Sequence, residues 1–226
     1  MDINKGKIIV LEGTDCSGKA TQSEILLKRL IDAGYKAVTL SFPCYDTPTG
    51  KIVGGPLLGK KEIGETYFGD ELLNLDPKIA SLYYAADRKY NMPRVYDYLD
   101  KGYYVILDRY VTSNLANQGG KIKDKDERFY IYQWIDKLEY WLLELPKPDI
   151  TIFLHVPYDF SKELKRNRKE LDAIENSETN MKDAESAYIE LSELYNWNRV
   201  ECVKENRLRS IEDISNEIYD IVTSNK

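Results

Sequence analysis

The sequence predicts an α/β fold in one domain, with helices covering both faces of a parallel sheet. Two observations support this prediction. Short apolar runs typical of strands alternate along the chain with longer runs that have helical spacing. The run at residues 103–107 is apolar throughout and short, as strands buried on both faces of a parallel sheet are.

The composition fits this class and limits the kinds of partner. A length of 226 residues, with 42% hydrophobic and 31% charged side chains, suits a single globular domain over residues 1–226. The net charge of −6 argues against a nucleic-acid partner. Three widely separated cysteines form no disulfide or metal pattern, which indicates a cytoplasmic location. No run approaches the roughly 20 apolar residues that span a bilayer, so no membrane association is expected.

The chain order gives five strands and the helices between them. We expect the first helix at residues 22–30 and further helices near residues 114–116 and at 126–145, 181–195 and 210–222. The stretch around Gly54, Gly55, Pro56 and Gly59 is expected to be rich in loops. The strands are predicted at residues 7–11, 36–42, 103–107, 149–156 and 199–203.

A long helix is predicted to begin at Asp76, because an aspartate cap followed by proline is a strong start signal. Its apolar residues recur at helical spacing, so the helix carries Ile79, Leu82, Tyr83 and Ala86 on one side. Pro93 lies inside this pattern, and we expect a kink or a break there.

A glycine-rich loop connects the first strand to the first helix. In that context glycines let backbone N–H groups surround a phosphate, and the following helix presents its positive end. Lys19 adds a charge for the outer phosphates. The predicted phosphate-binding residues are Gly13, Thr14, Asp15, Cys16, Ser17, Gly18, Lys19, Ala20 and Thr21.

The loop departs from the usual pattern at one position. The residue after the lysine is normally a serine or threonine that binds Mg²⁺, and here it is Ala20. Thr21 cannot simply replace that hydroxyl, because one step along a helix rotates the side chain by about 100°.

Three further groups are candidates for chemistry. Arg109 follows the third strand at the sheet edge where such folds bind ligands, and it could hold a phosphate, while Asp108 could act on Mg²⁺ through water. Tyr84 and Arg88 share a helix face and could bind a base, although the pattern alone favours simple packing. The basic stretch 165–168 is either a solvated helix face or part of a mobile lid.

Together these residues resemble the thymidylate kinase family over nearly the whole chain. The resemblance rests on motifs that occur in a fixed order. They are residues 11–19 (LEGTDCSGK), 41–43 (SFP), 86–88 (ADR), 108–113 (DRYVTS), 118–119 (QG) and 146–149 (PKPD).

The resemblance implies a three-layer P-loop NTPase fold with a five-stranded parallel sheet in order 2-3-1-4-5 and a helical lid over roughly residues 158–180. It also implies transfer of the γ-phosphoryl group of ATP to dTMP, with Mg²⁺, in dTTP synthesis by a homodimer. Lys19 and the loop would bind ATP. Asp15 would face the sugar, Phe42 the thymine, and Tyr84 would stack on it. Arg88 would bind a thymine carbonyl, Arg109 the acceptor phosphate, and Gln118 the base or sugar.

Members of this family differ in where a catalytic arginine lies. Some have it in the phosphate loop, where this chain has Cys16, so the resemblance implies that Arg166 or Arg168 of the lid acts instead. Tyr45 also replaces an arginine that binds phosphate in some members. Two alternatives stay open: another nucleotide or deoxynucleoside kinase on the same fold, and a nucleotide-binding regulator with weak catalysis because of Ala20.

Overall fold

The computed structural model describes residues 6–165 and 177–224, apart from the side chains of Asp70 and Lys165. Its main sheet has five parallel strands in the order β2-β3-β1-β4-β5, which confirms the predicted fold. The strands are β1 (Lys7–Glu12), β2 (Ala37–Ser41), β3 (Tyr104–Asp108), β4 (Ile150–His155) and β5 (Asn198–Glu201).

Helices connect the strands. Short π-helical turns at Val53–Leu57 and Lys137–Leu142 extend α2 and α5, and a 3₁₀ turn occupies Gly69–Asn74. The α-helices are α1 (Lys19–Asp32), α2 (Pro48–Ile52), α3 (Pro77–Asp100), α4 (Val111–Gly119), α5 (Lys125–Asp136), α6 (Tyr158–Lys165), α7 (Glu178–Leu194) and α8 (Ile211–Ser224). None of these helices is long and apolar enough to cross a membrane.

Two apolar clusters make the fold a three-layer structure. One cluster joins a face of the sheet to α3, α4, α5 and α7, and the other joins the opposite face to α1 and α8. Strand β1 lies at the centre, because Ile9 is in register with Ile106 of β3 on one side and Ile150 of β4 on the other. The middle residues of β3, Val105, Ile106 and Leu107, are fully buried, as predicted for this strand.

The apolar side of α3 lies mainly at the surface. Ile79 and Leu82 are 45% and 50% exposed, and Ala86 is exposed as well. The helix instead buries a face that includes Asp87 and Arg88. Helical spacing identifies an apolar side of a helix, but it does not show whether that side packs against the sheet or is exposed to solvent.

Pro93 does not break α3, which runs from Pro77 to Asp100. Pro93 and Lys89 are both exposed, so the carbonyl group that loses its hydrogen bond faces water. Asp76 does cap the helix, because its carboxylate accepts hydrogen bonds from the backbone N–H groups of Lys78 and Ile79.

The region expected to be loop-rich contains a π-helical turn at Val53–Leu57. Gly54 lies close to a neighbouring side chain there, since a Cβ atom would be 2.3 Å from Cδ1 of Ile63 and that side chain would have to shift. The regular part of the helix predicted at 126–145 ends earlier, at Leu142.

The end of the chain also differs from the prediction of a strand at residues 199–203. After β5 the chain forms a two-stranded antiparallel sheet, β6 (Val203–Lys204) with β7 (Arg207–Leu208). Its turn residues Glu205 and Asn206 have φ of 50° and 59°. Both values match the tight hairpin turn that fits the twist of paired strands.

Candidate active site

A cavity of about 170 Å³ opens at the carboxyl edge of the sheet, where β1 and β3 end. The structure brings together in its wall all of the residues that were predicted to bind the acceptor substrate. They are Asp15, Phe42, Tyr84, Arg88, Arg109 and Gln118. These residues come from five separate parts of the chain, so the cavity is a product of the tertiary fold.

The phosphate loop lies between β1 and α1, as predicted. Gly13 has a φ of 151°, and a Cβ atom there would lie 2.7 Å from the carbonyl oxygen of Leu154, so the position requires glycine. Gly18 has a φ of 85° and immediately precedes α1. Cys16 also has a positive φ, of 65°.

Lys19 is buried and folds back onto this loop. Its Nζ donates to the carbonyl oxygens of Gly13 and Thr14, at 3.0 and 2.8 Å. Burial, and then the charge of Arg109, lowers the pKa of Lys19 to about 8. A negatively charged phosphate in the loop would raise the pKa of Lys19 again and favour its charged form.

Arg109 connects the loop to the acceptor side of the cavity. Its guanidinium forms an ion pair with Asp15, and Nη1 donates to Ser113 Oγ at 3.3 Å. Burial opposes the charge of Arg109, but Asp15 more than compensates, so the pKa of Arg109 lies above its ordinary value. Arg109 adopts a positive φ of 69°, which turns the chain sharply between β3 and α4.

Glu12, at the end of β1, is a buried carboxylate that we did not predict as a site residue. It accepts hydrogen bonds from the backbone N–H of Tyr110 at 3.0 Å, Ser113 Oγ at 2.7 Å and Tyr188 Oη at 2.9 Å. Thr112 Oγ1 donates to it as well. Glu12 thereby fixes the start of α4 against the sheet.

Arg88 is also held by a carboxylate that we did not predict. Glu139 is fully buried and binds Arg88 in a bidentate manner, with Nη2 donating to Oε1 at 2.5 Å and Nε donating to Oε2. Glu139 accepts from Asn114 Nδ2 at 2.8 Å as well. The orientation of both donors is thereby determined.

Two oxygens in the wall of the cavity have no hydrogen-bond partner in the described part of the chain. They are Oδ1 of Asn114 and Oε1 of Gln118, and both are buried. An unpaired buried oxygen is costly, so a ligand with an N–H group would satisfy either one. Asn114 is a site residue that we did not predict, because nothing in its local pattern separates it from other polar helix residues.

Aromatic side chains form the remaining walls. Phe42 is buried, and its ring centroid lies 6.0 Å from that of Tyr110. Tyr84 is partly buried on α3, one turn before Arg88. The combination of flat apolar walls with a few directed polar groups suits a planar, polar ligand such as a nucleobase.

Comparison with known proteins identifies the family. The thymidylate kinase family model matches residues 11–218. The chain belongs to the thymidylate kinase family.

Known members of this family are similar over nearly their whole length. The thymidylate kinase of Schizosaccharomyces pombe is 28% identical, with 98% of this chain and 93% of the relative covered. The probable thymidylate kinase of Pyrococcus horikoshii is 30% identical, with 96% of each chain covered. The solved structure of Candida albicans thymidylate kinase matches with a TM-score of 0.71 and 26% identity, covering 98% of this chain and 92% of the other.

Within this thymidylate kinase fold, Asp108 is the candidate for contact with Mg²⁺. Its Oδ1 is buried and lacks a hydrogen-bond partner in the described residues, and its charge acts on Lys19. The described residues contain no group of three or more acidic, histidine or cysteine side chains that could hold a metal. One carboxylate fits an ion that keeps most of its water and binds mainly to phosphates.

The other predicted metal and lid positions have different outcomes. Ala20 and Thr21 lie in the first turn of α1, and both are exposed. The predicted lid, 158–180, includes α6 and the start of α7, but Arg166 and Arg168 lie outside the described residues.

Proposed function

We propose that this protein is an ATP-dependent dTMP kinase. It transfers the γ-phosphoryl group of ATP to the 5′-phosphate of dTMP and releases dTDP and ADP. The observation that carries the proposal is that phosphate-binding and base-binding candidates line one and the same cavity. They are Asp15 of the phosphate loop, Arg109, Tyr84, Arg88 and Gln118.

The residues of the chain have separate tasks in this reaction. Lys19 and the loop N–H groups bind the phosphates of ATP, and Arg109 binds the acceptor phosphate with its planar fork. Asp15, which pairs with Arg109, orients it and accepts from the sugar hydroxyl. An oxygen of the dTMP phosphate then attacks the γ-phosphorus, the bond to the bridging oxygen breaks, and ADP leaves with that electron pair.

The base is recognised by the α3 and α4 side of the cavity. Phe42 and Tyr84 contact the faces of the thymine ring, and Arg88 donates to one of its carbonyl oxygens. The free oxygen of Asn114 or Gln118 accepts from the ring N–H. This arrangement favours thymine or uracil over cytosine, which has no N–H at that ring position.

Mg²⁺ would neutralise charge on the phosphates of ATP when bound, and Asp108 would hold it through water. Negative charge also develops on the transferred group, and family resemblance assigns its stabilisation to Arg166 or Arg168. That assignment stays a prediction.

We further propose that the protein is a cytoplasmic homodimer. The support for a dimer is an exposed apolar stripe on α3, formed by Ile79, Leu82 and Tyr90, beside the exposed Trp141 and Leu142 that follow α5. A stripe of this kind suits an interface between copies of the chain. The support for the compartment is that Cys16, Cys44 and Cys202 are free thiols.

A coupled ADP-release assay with Mg·ATP tests the activity on dTMP, dUMP, dGMP and thymidine. We expect turnover with dTMP. The Ala20→Ser variant should change kcat/KM for Mg·ATP by less than about tenfold, because a single hydroxyl is a minor ligand of hydrated Mg²⁺. Turnover with thymidine alone would exclude a monophosphate kinase. Turnover only in the serine variant would show that the natural chain binds nucleotide without catalysis.

A further inference from the structure

One wall of the cavity carries a polar side chain that the mechanism above does not use. Asn114, Gln118 and Lys121 follow one another at spacings of four and three residues along α4 and just beyond its end, and all three line the cavity. Residues at this spacing lie on one side of a helix. Lys121 thus continues the row of polar groups that begins with the two unpaired oxygens.

The ammonium group of Lys121 lacks a fixed partner. Among the described residues it makes no hydrogen bond and no ion pair, and the charge that acts on it is that of Asp76 at the start of α3. Burial lowers the pKa of Lys121 to about 8. A partly desolvated cation without a partner is unfavourable, and an acceptor oxygen on a ligand would relieve that cost.

The position of Lys121 indicates which part of the nucleotide it reaches. Arg109, which faces the phosphate loop, directly precedes the turn into α4, and Lys121 follows the other end of that helix. The nine helical residues of α4 span about 14 Å, so Lys121, just beyond the helix, lies at the opposite end of α4 from Arg109. Lys121 lines the same cavity as Gln118, three residues before it.

We propose that Lys121 is a further substrate-binding residue that donates a hydrogen bond to a carbonyl oxygen of the pyrimidine base. The lining of the cavity offers two donors, Arg88 and Lys121, together with the unpaired amide oxygens of Asn114 and Gln118. The edge of thymine presents the complementary groups, two carbonyl oxygens and one N–H. The inference rests on the proposed dTMP kinase activity, and it assigns the second carbonyl to a residue of this chain.

Binding measurements with the Lys121→Met variant test this assignment. Methionine keeps the length of the side chain and removes the donor. Calorimetry should show a Kd for dTMP raised by about tenfold, the usual size for a hydrogen bond to a charged group, while KM for ATP stays the same. Lys121→Arg should recover most of the affinity. Lys125→Met is the matched control, because Lys125 is exposed at the start of α5 and does not line the cavity.

Sulfur analogues of the substrate locate the contact without relying on the variant alone. Sulfur accepts hydrogen bonds weakly, so 2-thio-dTMP or 4-thio-dTMP should bind less tightly than dTMP to the parent and lose less affinity in Lys121→Met. The proposal is supported if the affinity loss caused by sulfur at either position 2 or position 4 is smaller in Lys121→Met than in the parent. Equal losses in parent and variant at both positions, or an unchanged Kd for dTMP in Lys121→Met, would overturn it. Failure of the parent to phosphorylate dTMP would instead refute the proposed activity.

Discussion

The two ends of the cavity are built in different ways. The phosphate loop is local: Lys19 bonds to the carbonyl groups of Gly13 and Thr14, six and five residues away. The rest of the cavity depends on partners that are distant in sequence. Arg88 and Glu139 are 51 residues apart, and Glu12 and Tyr188 are 176 residues apart.

The difference shows why the two ends respond differently to substitution. In the phosphate loop, donor and acceptors belong to the same short segment, so a substitution there removes only local contacts. The walls of the cavity depend on two buried carboxylates: Glu139 holds Arg88 at the base end, and Glu12 holds the start of α4. Each of them satisfies several donors from other elements. Removing one of them leaves buried donors without a partner, and that cost falls on the whole fold.

The largest effect is expected for Glu139→Gln. This change leaves the charge of buried Arg88 without compensation, and breaking a buried pair costs about 3–5 kcal/mol. Urea denaturation should show this loss in the free energy of unfolding. Glu193→Gln, at an exposed position on α7, is the matched control and should stay within about 0.5 kcal/mol of the parent.

A double variant sharpens the interpretation. Arg88→Met with Glu139→Leu replaces the pair by apolar side chains, which is often neutral for stability. We expect stability to return while affinity for dTMP does not. Recovery of both would mean that Arg88 takes no part in binding the base.

A smaller effect is expected for Glu12→Gln, about 2 kcal/mol in the free energy of unfolding. The amide nitrogen would face hydroxyl donors such as Thr112 and Ser113, and at least one of them would lose its acceptor. Urea denaturation measures this loss, and Glu24→Gln, at an exposed position on α1, is the control. Identical midpoints for the two variants would contradict a structural role for Glu12.

The smallest effect concerns the loop and depends on pH. The pKa of Lys19 falls from 10.5 to about 8 on folding, so between these values the unfolded chain binds more protons. Stability contributed through Lys19 therefore rises with pH from about 8 to 10.5. The free energy of unfolding of the parent relative to Lys19→Met should increase over this window by on the order of 1–2 kcal/mol.

Urea titrations at pH 7.5 and 10 check this prediction. Lys28→Met, at an exposed position on the same helix, serves as the control and should show no such change relative to the parent. A constant difference between the parent and Lys19→Met would mean that Lys19 titrates normally in the folded state.

Some features of α3 could be predicted from its local sequence, and others could not. The cap at Asp76 and the start of the helix were predicted correctly, because both depend on neighbouring residues. The pattern did not tell which side of the helix is buried, because Ile79 and Leu82 form a regular apolar stripe that the fold leaves at the surface. Arg88 was identified through family resemblance, whereas its partner Glu139 was missed, since a glutamate in a charged helix has no distinguishing local signal.

The sequence by itself determined the alternation of strands and helices and the glycine positions of the phosphate loop, because both follow from local preferences of the backbone. Family resemblance supplied six of the residues that line the cavity. The tertiary structure alone decided which carboxylates are buried, which face of α3 meets solvent and where Lys121 lies. Burial depends on elements that are distant in the chain. It determines how much free energy a charged side chain loses on leaving water and how much its partner must compensate.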